Sequence, residues 1–123
     1  MKQKDILIVD DSESIRELVS NTLIQAGYNV YKAVNGTDAL EKLNQVSKVD
    51  LVLTDLNMPV MDGLMLVKEV RKLESYKYLP ILILTTETEV QKRLQAKDAG
   101  ATGWLVKPFE QDKLIKVINK VII

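Results

Sequence analysis

Apolar residues in this chain fall into two rhythms, short unbroken runs and longer stretches where they recur every three or four positions. The runs read as strands and the spaced stretches as helices. Asp5 to Asp10, Tyr28 to Ala33, Leu51 to Asp55, Pro80 to Thr86 and Trp104 to Val106 are the five predicted strands. Leu51-Val52-Leu53 is continuous rather than alternating, which marks a strand covered on both faces. Tyr28 to Ala33 is short and less apolar, which places it at a sheet edge.

Between the runs, the helical period is explicit. Ile15, Leu18, Val19, Thr22, Leu23 and Ala26 share one face of a first helix, with Ser14 and Glu17 as a capping box and Gly27 as the stop. A second helix spans about Gly36 to Val46 behind an Asn35 cap, with Ala39, Leu40, Leu43 and Val46 inward. The third runs from about Gly63 to Leu73 on Leu66, Val67, Val70 and Leu73. A charged, tyrosine-bearing loop, Glu74 to Leu79, follows it. The fourth, about Thr88 to Ala99, has Thr86 and Glu89 as its capping box, Gly100 as its end, and a core face of only Val90, Leu94, Ala96 and Ala99. It is the most polar helix and is expected to be the most loosely held. After Lys107-Pro108 breaks the fifth strand, Asp112 to Ile122 forms the last helix around Leu114, Val117, Ile118 and Val121. Ile115, Ile122 and Ile123 lie off that stripe, as loosely packed side chains or as part of a partner patch. Strand and helix alternating five times predict an α/β fold, a doubly wound parallel sheet with helices on both faces. No repeat, linker or low-complexity stretch interrupts residues 1–123, so a single domain with no second one attached is expected.

Composition narrows the function. At 123 residues and 46% hydrophobic, the chain suits one well-packed domain. Seventeen Lys and Arg balance seventeen Asp and Glu, so no basic field exists to hold nucleic acid or an anionic membrane. No apolar run approaches the roughly 20 residues needed to cross a bilayer. The absence of cysteine excludes disulfides and thiolate zinc sites, and the Met-Lys-Gln-Lys-Asp start lacks a signal-peptide core, so a cytoplasmic protein is expected. Histidine is also absent, which leaves carboxylates, lysines and hydroxyls to carry any chemistry.

Those groups collect at the strand ends. Asp10-Asp11, Asp55, Thr85-Thr86 and Lys107 close the first, third, fourth and fifth strands, and in a parallel sheet these ends share one edge. Singly, each has an ordinary reading as a helix cap, a β-former or a surface lysine. Their coincidence at four strand ends points to a site. Three carboxylates and one ammonium carry about −2, and like charges about 4 Å apart cost on the order of 4 kcal/mol at an effective dielectric of 20. A hard divalent cation held by oxygens relieves that repulsion, and Mg²⁺ suits the set.

At these residues the chain resembles the receiver domain of bacterial response regulators, the CheY-like family. Asp10-Asp11, Asp55 followed by Met58-Pro59 and Asp62-Gly63, Thr85, and Lys107-Pro108-Phe109 agree with it in type, order and spacing, and the resemblance covers essentially the whole chain. It implies the flavodoxin-like strand order 2-1-3-4-5 and a cis Lys107-Pro108 bond. It further implies that Asp55 accepts a phosphoryl group from a phosphohistidine on a histidine kinase. Asp11, Asp55 and the Asn57 carbonyl would ligate Mg²⁺, with Asp10 acting through water. Lys107 and the Thr85 hydroxyl would hold the phosphoryl oxygens. Such a protein is not a turnover enzyme, since it catalyses only its own phosphorylation and dephosphorylation.

Thr85 and the aromatic position at Trp104 would then reshape the face made by the fourth helix, fifth strand and fifth helix. Family members usually have Tyr or Phe where this chain has Trp104, so a second reading packs Trp104 on the fourth helix without switching. Glu110 replaces a frequent Thr or Ser cap, with a modest effect expected because a carboxylate suits a helix start.

Asn57 and Glu87 resemble the pair that tunes phosphoryl loss in chemotaxis receivers. A monomer docking on a flagellar motor switch component is therefore expected. A phosphorelay intermediate feeding a histidine phosphotransferase, or a fragment of a larger regulator, is the alternative. Outside this class stand a flavodoxin-like mononucleotide binder, disfavoured because Asp10-Asp11-Ser12-Glu13 would repel a phosphate, and a small Mg²⁺-dependent phosphatase, which would need a substrate pocket.

Overall fold

In the computed structural model, which describes residues 3–86 and 88–122, strands and helices alternate along the chain. They are β1 (Asp5–Val9), α1 (Glu13–Gln25), β2 (Asn29–Ala33), α2 (Gly36–Gln45), β3 (Leu51–Thr54), α3 (Gly63–Lys72), β4 (Ile81–Thr85), α4 (Val90–Ala99), β5 (Gly103–Val106) and α5 (Gln111–Val121). A short 3-10 turn, Glu74–Tyr76, sits in the charged loop before β4. All strand pairs are parallel, in the order β2-β1-β3-β4-β5. This is the expected doubly wound sheet, with β2 at an edge.

Continuous apolar runs make the central strands buried along their length, because helices cover both sheet faces. Side-chain alternation divides the core in two. Leu7, Val9, Val52, Ile81 and Ile83 meet α2, α3 and α4 through Ala39, Leu43, Leu66, Val67, Val70 and Ala96. On the opposite face, Ile6, Ile8, Leu51, Leu53, Leu82 and Leu84 meet α1 and α5 through Val19, Leu23, Leu114 and Ile118. Each Val, Leu or Ile among them contributes roughly 1.5–3 kcal/mol on full burial, so this double layer is what holds the strand ends in place.

Helix boundaries required corrections. The α1 cap is Ser12, whose Oγ accepts the Ile15 N–H at 3.4 Å. Ser14 lies inside the helix, and Glu17 reaches out to Lys32 at 2.7 Å, so the expected Ser14–Glu17 capping box does not form. The buried face of α1 is also turned: Ser20 is buried, whereas Leu18 is 54% exposed and Ala26 is exposed. Helix α4 begins at Val90, and the Glu89 side chain makes no capping hydrogen bond there, so the Thr86–Glu89 box is absent too. Val90 and Leu94 point outward, leaving Ala96 buried and Ala99 half-buried. Ile115 and Ile122 are not off the core but pack against its α1–α5 half, and Ile123 lies outside the described residues.

Other local readings held. Asn35 caps α2 through the Asp38 N–H at 2.8 Å, and Lys107-Pro108 is cis. Gly100 ends α4 at φ 110°, a left-handed conformation that a Cβ disfavours. That end of α4 is also tied down from α3, because the Arg71 guanidinium donates to the Gly100 carbonyl at 2.7 and 3.1 Å and to the Tyr76 carbonyl at 3.3 Å.

Candidate phosphoryl-accepting site

Two central strands deliver the acids. β1 ends at Val9 and β3 at Thr54, paired in register, so Asp10 and Asp55 leave the sheet side by side. The Asp55 N–H donates to the Val9 carbonyl at 2.9 Å, continuing the ladder one step beyond β3. Oxygens of Asp10, Asp11 and Asp55 lie within 4.8 Å of one another. Asp10 is buried, Asp55 half-buried and Asp11 exposed, so the cluster opens to solvent on one side.

Asp10 is held from several directions. Its Oδ1 accepts the Ser12 N–H at 2.9 Å, its Oδ2 accepts the Lys107 ammonium at 2.9 Å, and its carbonyl accepts Arg16 at 2.6 Å. Lys107 stands 3.8 Å from Asp55 Oδ2 and therefore bridges the two acids, nearer to Asp10. Asp55 Oδ1 accepts the Leu56 N–H at 2.8 Å. Burial pushes the Asp55 carboxyl above the ordinary carboxylate range; Lys107 opposes this, whereas the neighbouring Asp10 and Asp11 charges reinforce it. The donor set is all oxygen, compact and net negative, which fits a hard divalent cation such as Mg²⁺.

Thr85 and Lys107 are joined through the backbone, where the Lys107 N–H donates to the Thr85 carbonyl at 2.8 Å. Thr85 is fully buried, and by strand parity it shares a sheet face with Ile83 and, on β5, with Trp104. Trp104 is half-buried against the α2–α4 half of the core, and its indole N–H is buried with no acceptor among the described residues. Beside it a groove of ≈ 340 Å³ runs between α4 and β5, lined by Val90, Arg93, Leu94, Lys97 and Trp104 among others. Asn57 is exposed in the loop after Asp55, and Glu87 lies outside the described residues.

The β3–α3 loop contains features that local sequence rules did not reveal. Asp62 caps α3 through the Met65 N–H at 2.9 Å. Gly63 packs so closely that a Cβ there would lie 2.5 Å from the Asp55 carbonyl oxygen, and its N–H donates to the Leu56 carbonyl at 2.8 Å. Val60 adopts φ 71° while 83% exposed, at the centre of a positive-φ γ-turn closed by the Met61 N–H on the Pro59 carbonyl, which is unusual for a β-branched residue. Met61 rests against Gly36 at the start of α2.

This fold with these acids and this lysine defines a receiver-type α/β domain. The chain belongs to the response regulator receiver domain family, whose model matches residues 6–119. It is similar to the chemotaxis protein CheY1 of Helicobacter pylori, 39% identical over 118 residues covering 95% of each chain. It is 39% identical to CheY-3 of Vibrio cholerae over 121 residues, covering 98% of this chain and 92% of the relative. Among solved structures, the Vibrio cholerae chemotaxis protein CheY4 superposes with a TM-score of 0.94 at 48% identity, covering 98% of this chain and all of that one. The Thermotoga maritima response regulator TrrA, solved in complex with Mg²⁺ and BeF, gives a TM-score of 0.86 at 36% identity and covers 98% of this chain and 100% of its own. No described helix is long and apolar enough to cross a membrane.

Proposed function

We propose that this receiver takes a phosphoryl group on Asp55 from a phosphohistidine of a histidine kinase and relays that event to an output protein in chemotaxis. The convergence of Asp10, Asp11, Asp55 and Lys107 at adjoining strand ends is the observation that carries the reading. Asp55 Oδ1 is engaged by the Leu56 N–H, so Oδ2, on the Lys107 side, is the attacking oxygen. It forms a bond to phosphorus as the P–N bond breaks, and the electron pair leaves with the donor imidazole.

Asp11, Asp55 and the Asn57 carbonyl would hold Mg²⁺, with Asp10 acting through a bound water. When bound, the ion would supply positive charge against the negative charge of the acids and the incoming phosphoryl group. Lys107 turns from Asp10 toward the phosphoryl oxygens, and the Thr85 hydroxyl donates to another. Because Thr85 and Trp104 share a sheet face, movement of one alters the packing of the other and hence the groove beside α4. Asn57 and Glu87 tune loss of the phosphoryl group. In this reading the protein is a cytoplasmic monomer that turns over only its own aspartyl phosphate, and a flagellar motor switch component docks on the α4–β5–α5 face. The chemotaxis assignment is supported by the names of the relatives.

The test is phosphotransfer from a labelled, phosphorylated kinase with Mg²⁺ present. Acid-labile label on the wild type and none on Asp55→Asn is the expected result, and label retained by the variant would refute the site. A pull-down with and without beryllofluoride separates outputs: a motor component is expected, and capture of a histidine phosphotransferase instead would make the protein a relay.

A further inference from the structure

The β2–α2 junction contributes no ligand, yet it touches both loops that do. On one side, the Asp10 N–H donates to the Ala33 carbonyl at 3.2 Å, which ties the junction to the strand end carrying Asp10 and Asp11. On the other, Gly36 receives Met61: a Cβ at Gly36 would lie 2.6 Å from Met61 Cγ and 2.8 Å from both its Cβ and Sδ. Met61 Cβ is fixed to the backbone, so the approach involves the loop itself and not merely a side-chain tip. Junction and helix start are held by two hydrogen bonds, the Asp38 N–H on the Asn35 side chain at 2.8 Å and the Val34 N–H on the Asp38 carboxylate at 3.0 Å.

The loop bearing Asn57 is otherwise tethered mainly at its ends. The Gly63 N–H closes it onto the Leu56 carbonyl, and the Met61 N–H makes a tight turn onto Pro59 at 2.8 Å. Between them Asn57, Pro59 and Val60 are exposed. Among the described residues, buried Leu56 and half-buried Met58 anchor the start of this loop in the core, and the Met61 stem in the Gly36 notch is the side-chain anchor of its far side.

We infer that Met61, seated against Gly36, is a positioning residue that sets the distance of the Asn57 carbonyl from the Asp10–Asp11 loop, with the β2–α2 junction as the spacer between them. The inference rests on the proposed Mg²⁺ site. A small glycine is favoured at position 36, since a Cβ there lies too close to Met61 Cβ, Cγ and Sδ and must displace Met61 or the start of α2. Leu and Met fill similar volumes, so Leu at position 61 keeps the seat occupied, whereas Ala empties it.

The experiment is calorimetric titration of Mg²⁺ alone into wild type, Gly36→Ala, Met61→Ala and Met61→Leu, at a temperature where each is folded by circular dichroism. A core variant remote from the loop, Val49→Ala, serves as a control for stability loss alone. The expected result is about a tenfold weaker Mg²⁺ affinity for Gly36→Ala, several-fold weaker for Met61→Ala, and values within about twofold of wild type for Met61→Leu and Val49→Ala. Equal affinities across the series, or weakening in Val49→Ala matching that in Met61→Ala, would overturn the positioning role while leaving the metal site intact. Absence of Mg²⁺ binding by the wild type would overturn the proposed site and this inference with it. Should Gly36→Ala not fold, the contrast of Met61→Ala with Met61→Leu decides alone.

Discussion

Val60 sits in the loop that follows the proposed phosphoacceptor, at φ 71° and 83% exposed, and these two facts set the size of an expected gain. The Met61 N–H on the Pro59 carbonyl closes a positive-φ γ-turn at Val60, a strained conformation that costs on the order of 1–3 kcal/mol and to which a β-branched side chain is among the worst suited. Asparagine tolerates positive φ better because it is unbranched at Cβ and its short polar side chain bonds locally. Little burial is lost on replacement, since full burial of a valine is worth only about 1.5–3 kcal/mol and Val60 is largely in solvent. Val60→Asn should therefore stabilise the fold by about 1 kcal/mol. Glycine relieves the same strain but adds roughly 0.5–1 kcal/mol of unfolded-chain entropy, so Val60→Gly should gain less. With an unfolding entropy near 2.1 cal/mol/K per residue, 1 kcal/mol moves the melting temperature of a chain this size by about 4 °C. Urea and thermal melts followed by circular dichroism measure this directly. The urea midpoint should rise with an unchanged slope, because exposed surface is the same. An asparagine variant no more stable than wild type would refute the strain argument.

Two further outcomes follow from the charges of the site. Burial raises the Asp55 carboxyl above its usual range, so the folded state holds that proton more tightly than the unfolded chain. The associated stability is complete below the unfolded value of about 3.9 and is lost as pH rises through the folded value. Asp55→Asn should accordingly be more stable than wild type at pH 7 without divalent ions, the difference shrinking toward pH 3; a pH-independent difference would contradict this. Lys107→Ala removes the cation that lies 2.9 Å from Asp10 and 3.8 Å from Asp55. Mg²⁺ should then bind several-fold more tightly while beryllofluoride capture falls, because the ammonium repels one ion and recruits the other. Weaker Mg²⁺ binding by the variant would show that Lys107 organises the carboxylates instead.

The sheet was legible because its information is local. Leu51-Val52-Leu53 announces a strand covered on both sides, and once the strands are parallel the ends bearing Asp10, Asp55 and Lys107 meet at one edge. Capping rules chose Ser14 over Ser12 because Glu17 follows at the right spacing, yet Glu17 is taken by Lys32 on β2, and Asp10 turns the chain early by accepting the Ser12 N–H. Val90 and Leu94 fit an inward helical period, but α4 packs through the small Ala96 and leaves them outside. The seat of Met61 on Gly36 joins residues far apart in sequence, and no periodicity encodes it.

Arg71's grip on the Gly100 carbonyl fixes one end of α4 and gives the helix a lever arm. Ten residues at about 1.5 Å each make an arm of roughly 15 Å. A tilt of about 10° around the held end leaves the arginine contacts almost unmoved, yet by the same geometry it carries Val90 through roughly 2.6 Å. The end that travels is the one just beyond Thr85 and Thr86. A small rotation at the site would thus appear along α4 as displacement of its exposed apolar residues.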